Sequence, residues 1–585
     1  MAWRSLAATD GDHGTFVVSR AKGADSMTMR DSGGSAGLLG LMMDDLPLTT
    51  NWILRRAETV FGDRPVVTRT PDSGRHRYTY RAMAERARRL AAGLGQLGIR
   101  SGDRVATLAM NHHQHLEAYF GVPGMGAVLH TVNPRLHAPD LVHIVTEAAD
   151  RVMIVDQALW PVWAAIRDQV AVAHTVVVED GTGPVPPGTL PYEQLVAAGG
   201  DPPLDDVVRH DRQAAALCYT SGTTGRPKGV MYSHRSLVLH ALAAAGVDSI
   251  ALATRDVVLP VVPMFHVNAW GLPYGAALHG SGLVLPGHDL TPVGLLTLMA
   301  ETGTTLTAGV PTIWMGILAE LDAHPDRYDL SRLHTMLVGG AAVPAAVLQG
   351  YRDRHGLRVL HAWGMTETTP LGSVAHVPAG VDAGPGPEGD HYRLSQGRPA
   401  ALVEVRARGE SGPVPWDGST AGELEVRGPW VAAHYYGGDD DGKFTPDGWF
   451  RTGDVVTIDP LGYLVIRDRT KDLVKSGGEW ISSVALENAL MSHPAVAEAA
   501  VIAVPHPEWQ ERPVAVLVPR GAERPSDEDL AGFLAPQFAR WWLPDAYRWV
   551  DAIPRTATGK FLKAALREQF RGTLGADPPG TEEVQ

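Results

Sequence analysis

The loop Tyr219–Gly229 carries the groups in this sequence that are best suited to hold phosphate. Its sequence, YTSGTTGRPKG, contains three glycines, four serine or threonine hydroxyls and two cations. Glycine lets the backbone turn with positive φ and lets main-chain N–H groups approach a ligand closely. The hydroxyls add donors, and Lys228 adds a charge that neutralises phosphate. A mobile surface turn is the alternative interpretation. Such a turn would not require a loop that begins directly after an apolar run and ends in Pro-Lys-Gly, so the pattern favours polyphosphate binding.

The loop is not of the Walker type, because Lys228 is followed by Gly229 and no Ser or Thr stands there to bind magnesium. Phosphate chemistry usually needs magnesium held by carboxylate or hydroxyl oxygens. The segment His361–Thr368, HAWGMTET, offers a carboxylate, hydroxyls and an aromatic face. Thr366 could instead cap a helix that has Glu367 in its first turn. The two interpretations are compatible, since ligands collect at strand-to-helix turns in α/β proteins.

Three further segments place polar groups on glycine-containing turns. Asp454 ends the sequence RTGD and is suited to accept hydrogen bonds from two ribose hydroxyls, although such turns are common. Lys475 opens a second Gly/Lys loop, KSGGEW. Lys560 follows a glycine in PRTATGKF. A lone exposed lysine usually serves solubility, but the turn around Lys560 favours a positioned charge.

Helix and strand patterns alternate through most of the chain. Amphipathic helices are predicted at Thr49–Val60 and Tyr80–Leu97, and a further helix is predicted at about Ser233–Ala245. Buried strands are predicted at Val105–Met110, Ala127–Val132, Val152–Val155, Thr175–Val178, Ala214–Cys218, Val257–Val262, Gly282–Leu285, Thr304–Gly309, Thr335–Val338 and Arg358–Ala362. Strands separated by helices predict parallel sheets that are covered by helices on both faces.

The pattern changes after about residue 388. Glu388–Gly397 and Arg408–Gly418 are predicted to be loops around shorter β elements, and Val455–Ile466 to be a hairpin broken at Pro460-Leu461-Gly462. A smaller α+β unit follows, with helices at Val484–Met491 and Asp527–Phe533 and strands at Ala497–Val504 and Val514–Val518. The predicted domains are a disordered extension (1–41), a large domain (42–468), a hinge (469–472), a small domain (473–572) and a disordered tail (573–585).

Composition excludes several classes of function. At 585 residues the chain should hold more than one domain. The net charge of −14 argues against general nucleic-acid affinity, so local cations must meet any phosphate. The single cysteine, Cys218, excludes a disulfide framework, suits a reducing cytoplasm and is expected to be an inert buried thiol.

No stretch approaches the apolar length needed to span a bilayer. The extension is either disordered or reflects a start assigned upstream of Met42 or Met43.

Together, these motifs resemble the adenylate-forming superfamily of acyl-CoA synthetases, peptide-synthetase adenylation domains and luciferases. The resemblance runs from about Leu46 to Arg571. Pro263–Gly271 (PMFHVNAWG) and Lys475–Ser483 (KSGGEWISS) look like the medium- and long-chain fatty acyl-CoA ligases. The resemblance implies a large domain with parallel-rich sheets sandwiched by helices, a β-barrel-like subdomain, and a small mobile α+β C-terminal domain.

The resemblance also implies a chemistry. A carboxylate attacks the α-phosphorus of ATP, giving acyl-AMP and pyrophosphate, and the thiol of coenzyme A then displaces AMP. Lys560 would bridge the carboxylate and the α-phosphate, Thr220 and Glu367 would hold Mg²⁺, and His266 would lie near the thioester-forming centre. Asp454 and Arg469 would hold the ribose, and Trp363 would stack on adenine. These assignments give the catalytic residues Lys560, Thr220, Glu367 and His266.

The remaining implied contacts fall into three sets. The ATP/AMP set is Thr220, Ser221, Gly222, Thr223, Thr224, Gly225, Lys228, Gly340, Ala341, His361, Ala362, Trp363, Gly364, Met365, Thr366, Glu367, Asp454, Arg469, Lys471, Lys475 and Lys560. The acyl set is His266, Val267, Asn268, Trp270, Gly271, Val310 and Gly339. The CoA set is Lys475, Ser476, Gly477, Gly478, Glu479 and Trp480. Trp270 would gate the acyl tunnel, but ordinary core packing is an alternative for Trp270 and for His266.

In relatives the small domain rotates between the half-reactions about a hinge that matches Lys471. Rotation would withdraw Lys560 and bring the Gly477-Gly478 loop to the pantetheine channel. An acyl-CoA ligase for a medium-chain, long-chain or bulky apolar acid is therefore the first hypothesis. Delivery of the acyl group to a separate carrier-protein thiol is the second, and a non-catalytic scaffold is the third. Luciferase-type monooxygenation also stays open, and related ligases suggest a homodimer.

Overall fold

The computed structural model describes residues 28–30, 36–38, 42–43, 46–181, 183–204, 207–220, 226–341, 343–381, 384–438, 442–477, 479–556 and 560–574. The strands in these ranges are β1 (Thr28–Arg30), β2 (Ala36–Leu38), β3 (Pro65–Arg69), β4 (Arg75–Thr79), β5 (Arg104–Leu108), β6 (Val128–Thr131), β7 (Asp150–Asp156), β8 (His174–Val178), β9 (Leu190–Pro191), β10 (Ala214–Tyr219), β11 (Gly229–Ser233), β12 (Val257–Pro260), β13 (Gly282–Leu285), β14 (Leu306–Gly309), β15 (Thr335–Val338), β16 (Val359–Gly364), β17 (Leu371–Val374), β18 (Arg398–Pro399), β19 (Glu404–Gly409), β20 (Gly412–Pro413), β21 (Gly422–Arg427), β22 (Phe450–Ile458), β23 (Leu464–Arg469), β24 (Val474–Ser476), β25 (Glu479–Ile481), β26 (Val496–His506), β27 (Gln510–Pro519) and β28 (Ala546–Trp549).

The helices are α1 (Thr50–Val60), α2 (Tyr80–Gln96), α3 (His113–Gly124), α4 (Ala138–Ala148), α5 (Trp160–Ala164), α6 (Tyr192–Ala198), α7 (His234–Ala244), α8 (Val267–Trp270), α9 (Leu272–His279), α10 (Pro292–Thr302), α11 (Pro311–Ala323), α12 (Ala345–His355), α13 (Pro387–Leu394), α14 (Ser483–Met491), α15 (Asp527–Leu534) and α16 (Lys563–Gln569). No helix in the described part of the chain is long and apolar enough to cross a membrane.

Two sheets with parallel centres form the large body of the protein. One has the order β11-β10-β6-β5-β7-β8-β9, and the other β18-β17-β16-β15-β14-β12-β13-β3-β4. Along β7, Val152 and Ile154 enter one core cluster, while Met153 and Val155 enter another that contains residues of α4 and α5. Because successive side chains of a strand point to opposite faces, both faces of this sheet are buried. The predicted parallel sheets covered by helices are confirmed.

An antiparallel sheet of order β20-β19-β21-β22-β23 follows and corresponds to the expected barrel-like subdomain. The predicted hairpin is present as the antiparallel pair β22 and β23, with Ile458 opposite Leu464. It is longer than expected, because β22 already begins at Phe450. Asp454 and Arg469 therefore lie opposite each other across this hairpin.

The C-terminal unit has its own core. Strands β24 to β28 form an antiparallel-rich sheet, in which β26 and β27 pair over their whole length. Leu486 of α14 packs on one side of this sheet, and Leu566 of α16 packs on the other. The predicted α+β C-terminal domain is confirmed as an architecture, whereas its boundary at 469–472 stays a prediction.

Two local predictions are wrong. Glu388–Gly397 is not a loop, because Pro387–Leu394 forms α13. A proline at the first helical position and acidic residues in the first turn favour a helix, which the Gly/Pro-rich composition concealed. Thr366 does not cap an α-helix: Thr366–Thr368 is a single 3₁₀ turn that leads into β17.

The N-terminal segment 1–47 separates as a unit of its own. Within it, Thr28–Arg30 pairs antiparallel with Ala36–Leu38. The rest of the predicted extension 1–41, like most of the predicted tail 573–585, lies outside the described residues. The disorder of both segments stays a prediction.

Candidate active site

A cavity of about 790 Å³ lies where the carboxyl ends of the parallel strands meet the C-terminal unit. Thr220 follows β10, Gly339 follows β15, and Gly364 ends β16, and all three line this cavity. Lys560 of the C-terminal unit lines the same space. Ligands bind at this edge of open α/β sheets, because the loops that follow the strands converge there.

The ends of the phosphate-type loop are joined by two hydrogen bonds. The amide of Thr220 donates to the carbonyl of Lys228 at 2.9 Å, and the amide of Lys228 donates to Oγ1 of Thr220 at 3.0 Å. Nζ of Lys228 lies 5.1 Å from the ring centroid of Tyr435. The loop therefore presents a fixed lysine to the cavity. The predicted contacts Ser221, Gly222, Thr223, Thr224 and Gly225 lie outside the described residues.

Glu367 is held from two sides in its 3₁₀ turn. Oη of Tyr435 donates to Oε1 of Glu367 at 2.7 Å, and the amide of Ala432 donates to the Glu367 carbonyl at 2.7 Å. Oη of Tyr232 donates to the carbonyl of Thr366 at 2.7 Å. Tyr435 was not expected from the sequence, because nothing in the local pattern around it indicates a partner 68 residues away.

The oxygens at this end of the cavity fit a magnesium ion that is completed by phosphate. No group of three or more His, Cys, Asp or Glu side chains suited to a metal occurs within the described ranges. Mg²⁺ is typically held by one or two carboxylates, with substrate phosphates and water supplying the rest. Glu367 and Thr220, which both line the cavity, provide such a partial set.

Asp454 is almost fully buried and accepts from two partners. Nε1 of Trp363 donates to Oδ2 at 3.0 Å, and Nε of Arg469 lies 3.1 Å from Oδ1. The charge of Asp454 raises the pKa of Arg469, against the opposing effect of burial. The three residues predicted for adenine and ribose are therefore brought together, with the indole bonded to the carboxylate.

Lys560 projects into the cavity from a turn that is fixed at its base. The amide of Thr556 donates to the Lys560 carbonyl at 2.7 Å, and the Lys560 amide donates to Oγ1 of Thr556 at 3.1 Å. Burial, followed by the charge of Arg469, lowers the pKa of Lys560 to about 8. The amine thus still carries its proton at neutral pH, and the C-terminal unit places this charge in the cavity.

His266 lies at the junction between the polar and apolar parts of the site. Burial, together with the positive charges of Lys560 and Arg135, lowers the pKa of His266 to about 3. At neutral pH the imidazole is therefore uncharged, so it can act as a hydrogen-bonding group but not as a cation. His361 is also neutral, because burial lowers its pKa to about 4.

We call the apolar part of the cavity wall the apolar end. It comprises Ile250, Val267, Trp270, Leu337, Met365 and Leu371. A β-carbon on Gly339 would lie 3.2 Å from the Trp270 ring, so the glycine makes room for the indole. Trp270 thus lines the cavity as well as packing on the core, and its role as a gate stays a prediction.

Two residues of the predicted acyl set do not line the cavities. Val267–Trp270 forms a left-handed turn in which every φ lies between 45° and 57°. This conformation disfavours L-residues by roughly 1–2 kcal/mol each. It turns the buried Asn268 toward Cys218 and leaves Gly271 against His240, which a β-carbon would meet at 2.6 Å. Burial raises the pKa of Cys218 to about 11, as expected for an inert thiol.

A second cavity of about 360 Å³ adjoins the first and also contains Lys560. It is lined by the predicted residues Val310, Gly340, Ala341 and His361 on the large domain. Lys443, which was not predicted, lines the first cavity. Its Nζ lies 3.1 Å from the position that a β-carbon would occupy if Gly453 were replaced by another residue. A lysine before DGWFRTGD carries no recognisable signal for this position.

The predicted CoA residues that the structure describes lie outside both cavities. Lys475 stacks over Trp480 at 4.9 Å, and Trp480 is 47% exposed. Oγ of Ser476 accepts from Arg512, and the amide of Gly477 donates to the Trp509 carbonyl at 3.0 Å. None of these four predicted residues lines either cavity, whereas Lys471 lines both. Gly478 and the Glu479 side chain lie outside the described residues.

Comparison with known proteins identifies the family. A family model described as AMP-binding enzyme matches residues 54–436, and one described as AMP-binding enzyme C-terminal domain matches residues 485–560. This chain belongs to the AMP-binding enzyme family. The predicted superfamily is therefore confirmed.

Relatives of this AMP-binding enzyme carry names of one chemical class. It is 49% identical to the long-chain-fatty-acid–CoA ligase of Thermus thermophilus, over 89% of this chain and 95% of the relative. It is 45% identical to the 3-methylmercaptopropionyl-CoA ligase of Ruegeria lacuscaerulensis, over 92% and 100%. The structure of the anthranilate CoA ligase AuaEII with anthranoyl-AMP superposes with a TM-score of 0.80 at 25% identity, over 92% and 100%. The predicted class, an AMP-forming acid–thiol ligase, is confirmed, with ATP and CoA as substrates.

Proposed function

We propose that this AMP-binding enzyme activates a medium-chain, long-chain or otherwise bulky apolar carboxylic acid as acyl-AMP and transfers the acyl group to coenzyme A. The observation that carries the proposal is the position of Lys560. Its amine enters, from the small domain, the cavity that is lined by Glu367 and also by the apolar residues around Trp270. A nucleotide triphosphate and a carboxylic acid that has an apolar body would therefore meet beside this amine.

Adenylation needs the two reactants aligned and the charge that develops on the α-phosphate neutralised. In the proposed site Lys560 bridges the substrate carboxylate and the α-phosphate, and Lys228 holds the outer phosphates. Asp454 and Arg469 hold the ribose, with Trp363 beside the adenine. The Ser221–Gly225 loop, Gly340, Ala341 and the segment 361–367 complete the proposed nucleotide contacts.

Mg²⁺ is the proposed metal, held by Glu367 and Thr220. When bound, it neutralises phosphate charge and orients the triphosphate. The chain's own part is to keep the Glu367 carboxylate in one orientation. The bonds from Tyr435 and Ala432 support this role, because both fix the turn that carries the carboxylate.

The proposed acyl site is the apolar end of the cavity, gated by Trp270, with Val267 and Gly339 in its wall and Val310 in that of the adjoining cavity. His266, uncharged at neutral pH, lies between acyl group and nucleotide and can hydrogen-bond without competing for the phosphate. Asn268 and Gly271 lie outside the cavity wall, and their proposed role is to stabilise the left-handed turn that contains Trp270. The names of relatives include both long and short acids, and a panel of acids of different length distinguishes between them.

The thiol step is proposed to follow a rotation of the small domain about the hinge 469–472, near Lys471. Rotation would withdraw Lys560 and bring Lys475, Ser476, Gly477, Gly478, Glu479 and Trp480 to the CoA channel. The exposed position of Trp480 in the present closure supports a role in another closure. A cytoplasmic location and a homodimer formed through the large domain are part of the same proposal.

The experiment that tests the function is pyrophosphate release with a panel of carboxylic acids, from short aliphatic to long-chain and aryl acids. Release with apolar acids, followed by thioester formation with free CoA, is the expected result. Adenylation without thioester formation would favour a separate carrier-protein thiol as the acceptor. Absence of ATP–pyrophosphate exchange with every acid would favour a non-catalytic protein and overturn the proposal.

A further inference from the structure

A buried network of hydrogen bonds joins the large domain to the small one beside the predicted hinge. We call Asp468, Ser483, Glu487 and Lys563 the interdomain network. Asp468 lies on β23, before the hinge, and the other three residues follow it. The amide and Oγ of Ser483 both donate to Oδ2 of Asp468, at 2.6 and 2.7 Å. A carboxylate of the large domain thus binds the first turn of α14.

Lys563 completes the network from the other side. Its Nζ donates to Oγ of Ser483 at 2.6 Å and lies 2.6 Å from Oε1 of Glu487. Oε1 of Glu487 also accepts the amide of Val501 at 2.7 Å. The serine hydroxyl therefore accepts from an ammonium and donates to a carboxylate at the same time. Charge-assisted bonds of this kind are about twice as strong as neutral ones.

The network is connected to the catalytic turn through the chain itself. Lys563 begins α16, three residues after Lys560, and Leu566 anchors that helix in the small-domain core. The amide of Leu562 donates to the Pro554 carbonyl at 2.7 Å, which closes the base of the turn that carries Lys560. Lys563 bonds to Ser483, and Ser483 in turn bonds to Asp468 of the large domain, so the position of Lys560 is connected to Asp468 through these two residues.

Within the network, the contact of Asp468 with Ser483 is the one that joins the two sides of the hinge, whereas Ser483, Glu487 and Lys563 all follow it. Ser483 is fully buried, and the Glu487 and Lys563 side chains are each 10% exposed. Burial alone would lower the pKa of Lys563, but Glu487 and Asp468 together hold it above its usual range. Rotation about Lys471 would separate Asp468 from Ser483, since one residue precedes the hinge and the other follows it. A buried charge that loses its partner is strongly unfavourable.

We infer that Ser483 and Lys563 are positioning residues for adenylation, which hold the small domain in the closure that places Lys560 in the site. Neither residue contacts the nucleotide in this role. The inference rests on the proposed two-step function. It requires that loss of the network lowers the population of the adenylating closure and leaves the thiol-accepting closure available.

The test compares the two half-reactions in Ser483→Ala and in the double variant Lys563→Met/Glu487→Gln. The double variant removes both members of the buried ion pair, so that neither charge is left unpaired. Acyl-AMP formation is expected to slow by about tenfold in Ser483→Ala and further in the double variant. Thioester formation from supplied acyl-AMP and CoA is expected to be unchanged or faster. Equal losses in both half-reactions, or no loss in either, would overturn the inference.

Ser526→Ala is the matched control. Ser526 also stands at the start of a small-domain helix, where its Oγ accepts the amide of Asp529 at 3.2 Å, but it makes no contact with the large domain among those described. This variant should lower thermal stability without changing the ratio of the two half-reactions. A changed ratio would show that any destabilisation of the small domain alters the balance of the two half-reactions. That result would count against a specific role of the interdomain network.

Hydrogen exchange provides a readout that does not depend on activity. The amide of Ser483, which donates to Asp468, should exchange at least about tenfold faster in the double variant than in the wild type or in Ser526→Ala. Unchanged exchange would overturn the inference. If the Ser483 amide exchanges faster in the double variant but the wild-type protein releases no pyrophosphate with any acid, the network is supported and the proposed function is refuted.

Discussion

Nε1 of Trp363 donates a hydrogen bond of 3.0 Å to Oδ2 of Asp454, 91 residues away. The indole that was expected to stack on adenine is thereby bonded to the carboxylate that was expected to hold the ribose. Arg469 occupies the other oxygen. The proposed nucleotide pocket therefore has coupled side chains: the orientation of Asp454 depends on Trp363 as well as on its own strand.

We predict that Trp363→Phe weakens ATP binding by more than the loss of ring area implies. A hydrogen bond to a charged group contributes roughly 1.5–3 kcal/mol, so the KM for ATP should rise by about tenfold or more. Steady-state kinetics with varied ATP measures this change. Trp416→Phe, which alters an exposed tryptophan, is the control and should leave the KM unchanged. An unaltered KM in Trp363→Phe would show that the indole does not orient the carboxylate.

Lys560→Ala should nearly abolish acyl-AMP formation, because the amine is the proposed bridge between the carboxylate and the α-phosphate. Loss of one such electrostatic contact typically costs a factor of about 10²–10³ in rate. Thioester formation from supplied acyl-AMP should be spared. Pyrophosphate release and thioester formation, assayed separately, distinguish the two steps, and equal loss of both would refute the assigned role.

Adenylation should weaken as pH rises through about 8. Lys560 must be protonated to neutralise phosphate, and burial followed by the charge of Arg469 lowers its pKa to about 8. Above that pH the free enzyme loses the charge, so kcat/KM for ATP should fall about tenfold per pH unit. The thiol step from supplied acyl-AMP serves as the control, since it does not require the amine. A flat profile up to pH 9.5 would contradict this prediction.

Tyr435→Phe should raise the Mg²⁺ concentration needed for half-maximal activity. Oη of Tyr435 holds Oε1 of Glu367 at 2.7 Å, and groups that orient a metal ligand typically change metal affinity by about 10–100-fold. Activity titrated with Mg²⁺ after chelation measures the shift. Tyr328→Phe is the control. It removes a hydroxyl that bonds to Glu320, a glutamate far along the sequence from the site, and should not shift the Mg²⁺ titration. An equal shift in both variants would argue against the orienting role.

Trp270→Ala should enlarge the apolar end of the cavity, because the indole lies against Gly339 and lines both cavities. The preference should move toward bulkier acids, with kcat/KM for a long-chain acid rising relative to a short one by about tenfold. Competition between two acids in one assay gives this ratio directly. A uniform loss for all acids would indicate that Trp270 serves only as core packing.

Much of the large domain could be predicted because its signals are local. Gly282–Leu285 and Thr335–Val338 have the same bounds in prediction and structure, since each is a short apolar run that follows a polar residue and ends at a proline or a glycine. The phosphate-type loop was recognisable because glycines, hydroxyls and Lys228 lie within eleven positions. The helix Pro387–Leu394 was missed, because Gly, Pro and charged residues also compose loops.

The sequence alone thus determined the fold class, the family and the residue types of the chemistry, all of which depend on spacing along the chain. Only the tertiary structure decided which side chains meet: Trp363 with Asp454, Tyr435 with Glu367, and Asp468 with Ser483 and then Lys563. It also turned Asn268 and Gly271 away from the cavity, through a left-handed turn that no local propensity favours. The physical reason is the same in each case: the contacts join residues that are 15 to 91 positions apart, and Asn268 of the turn meets Cys218, 50 positions away, so packing rather than local pattern selects them.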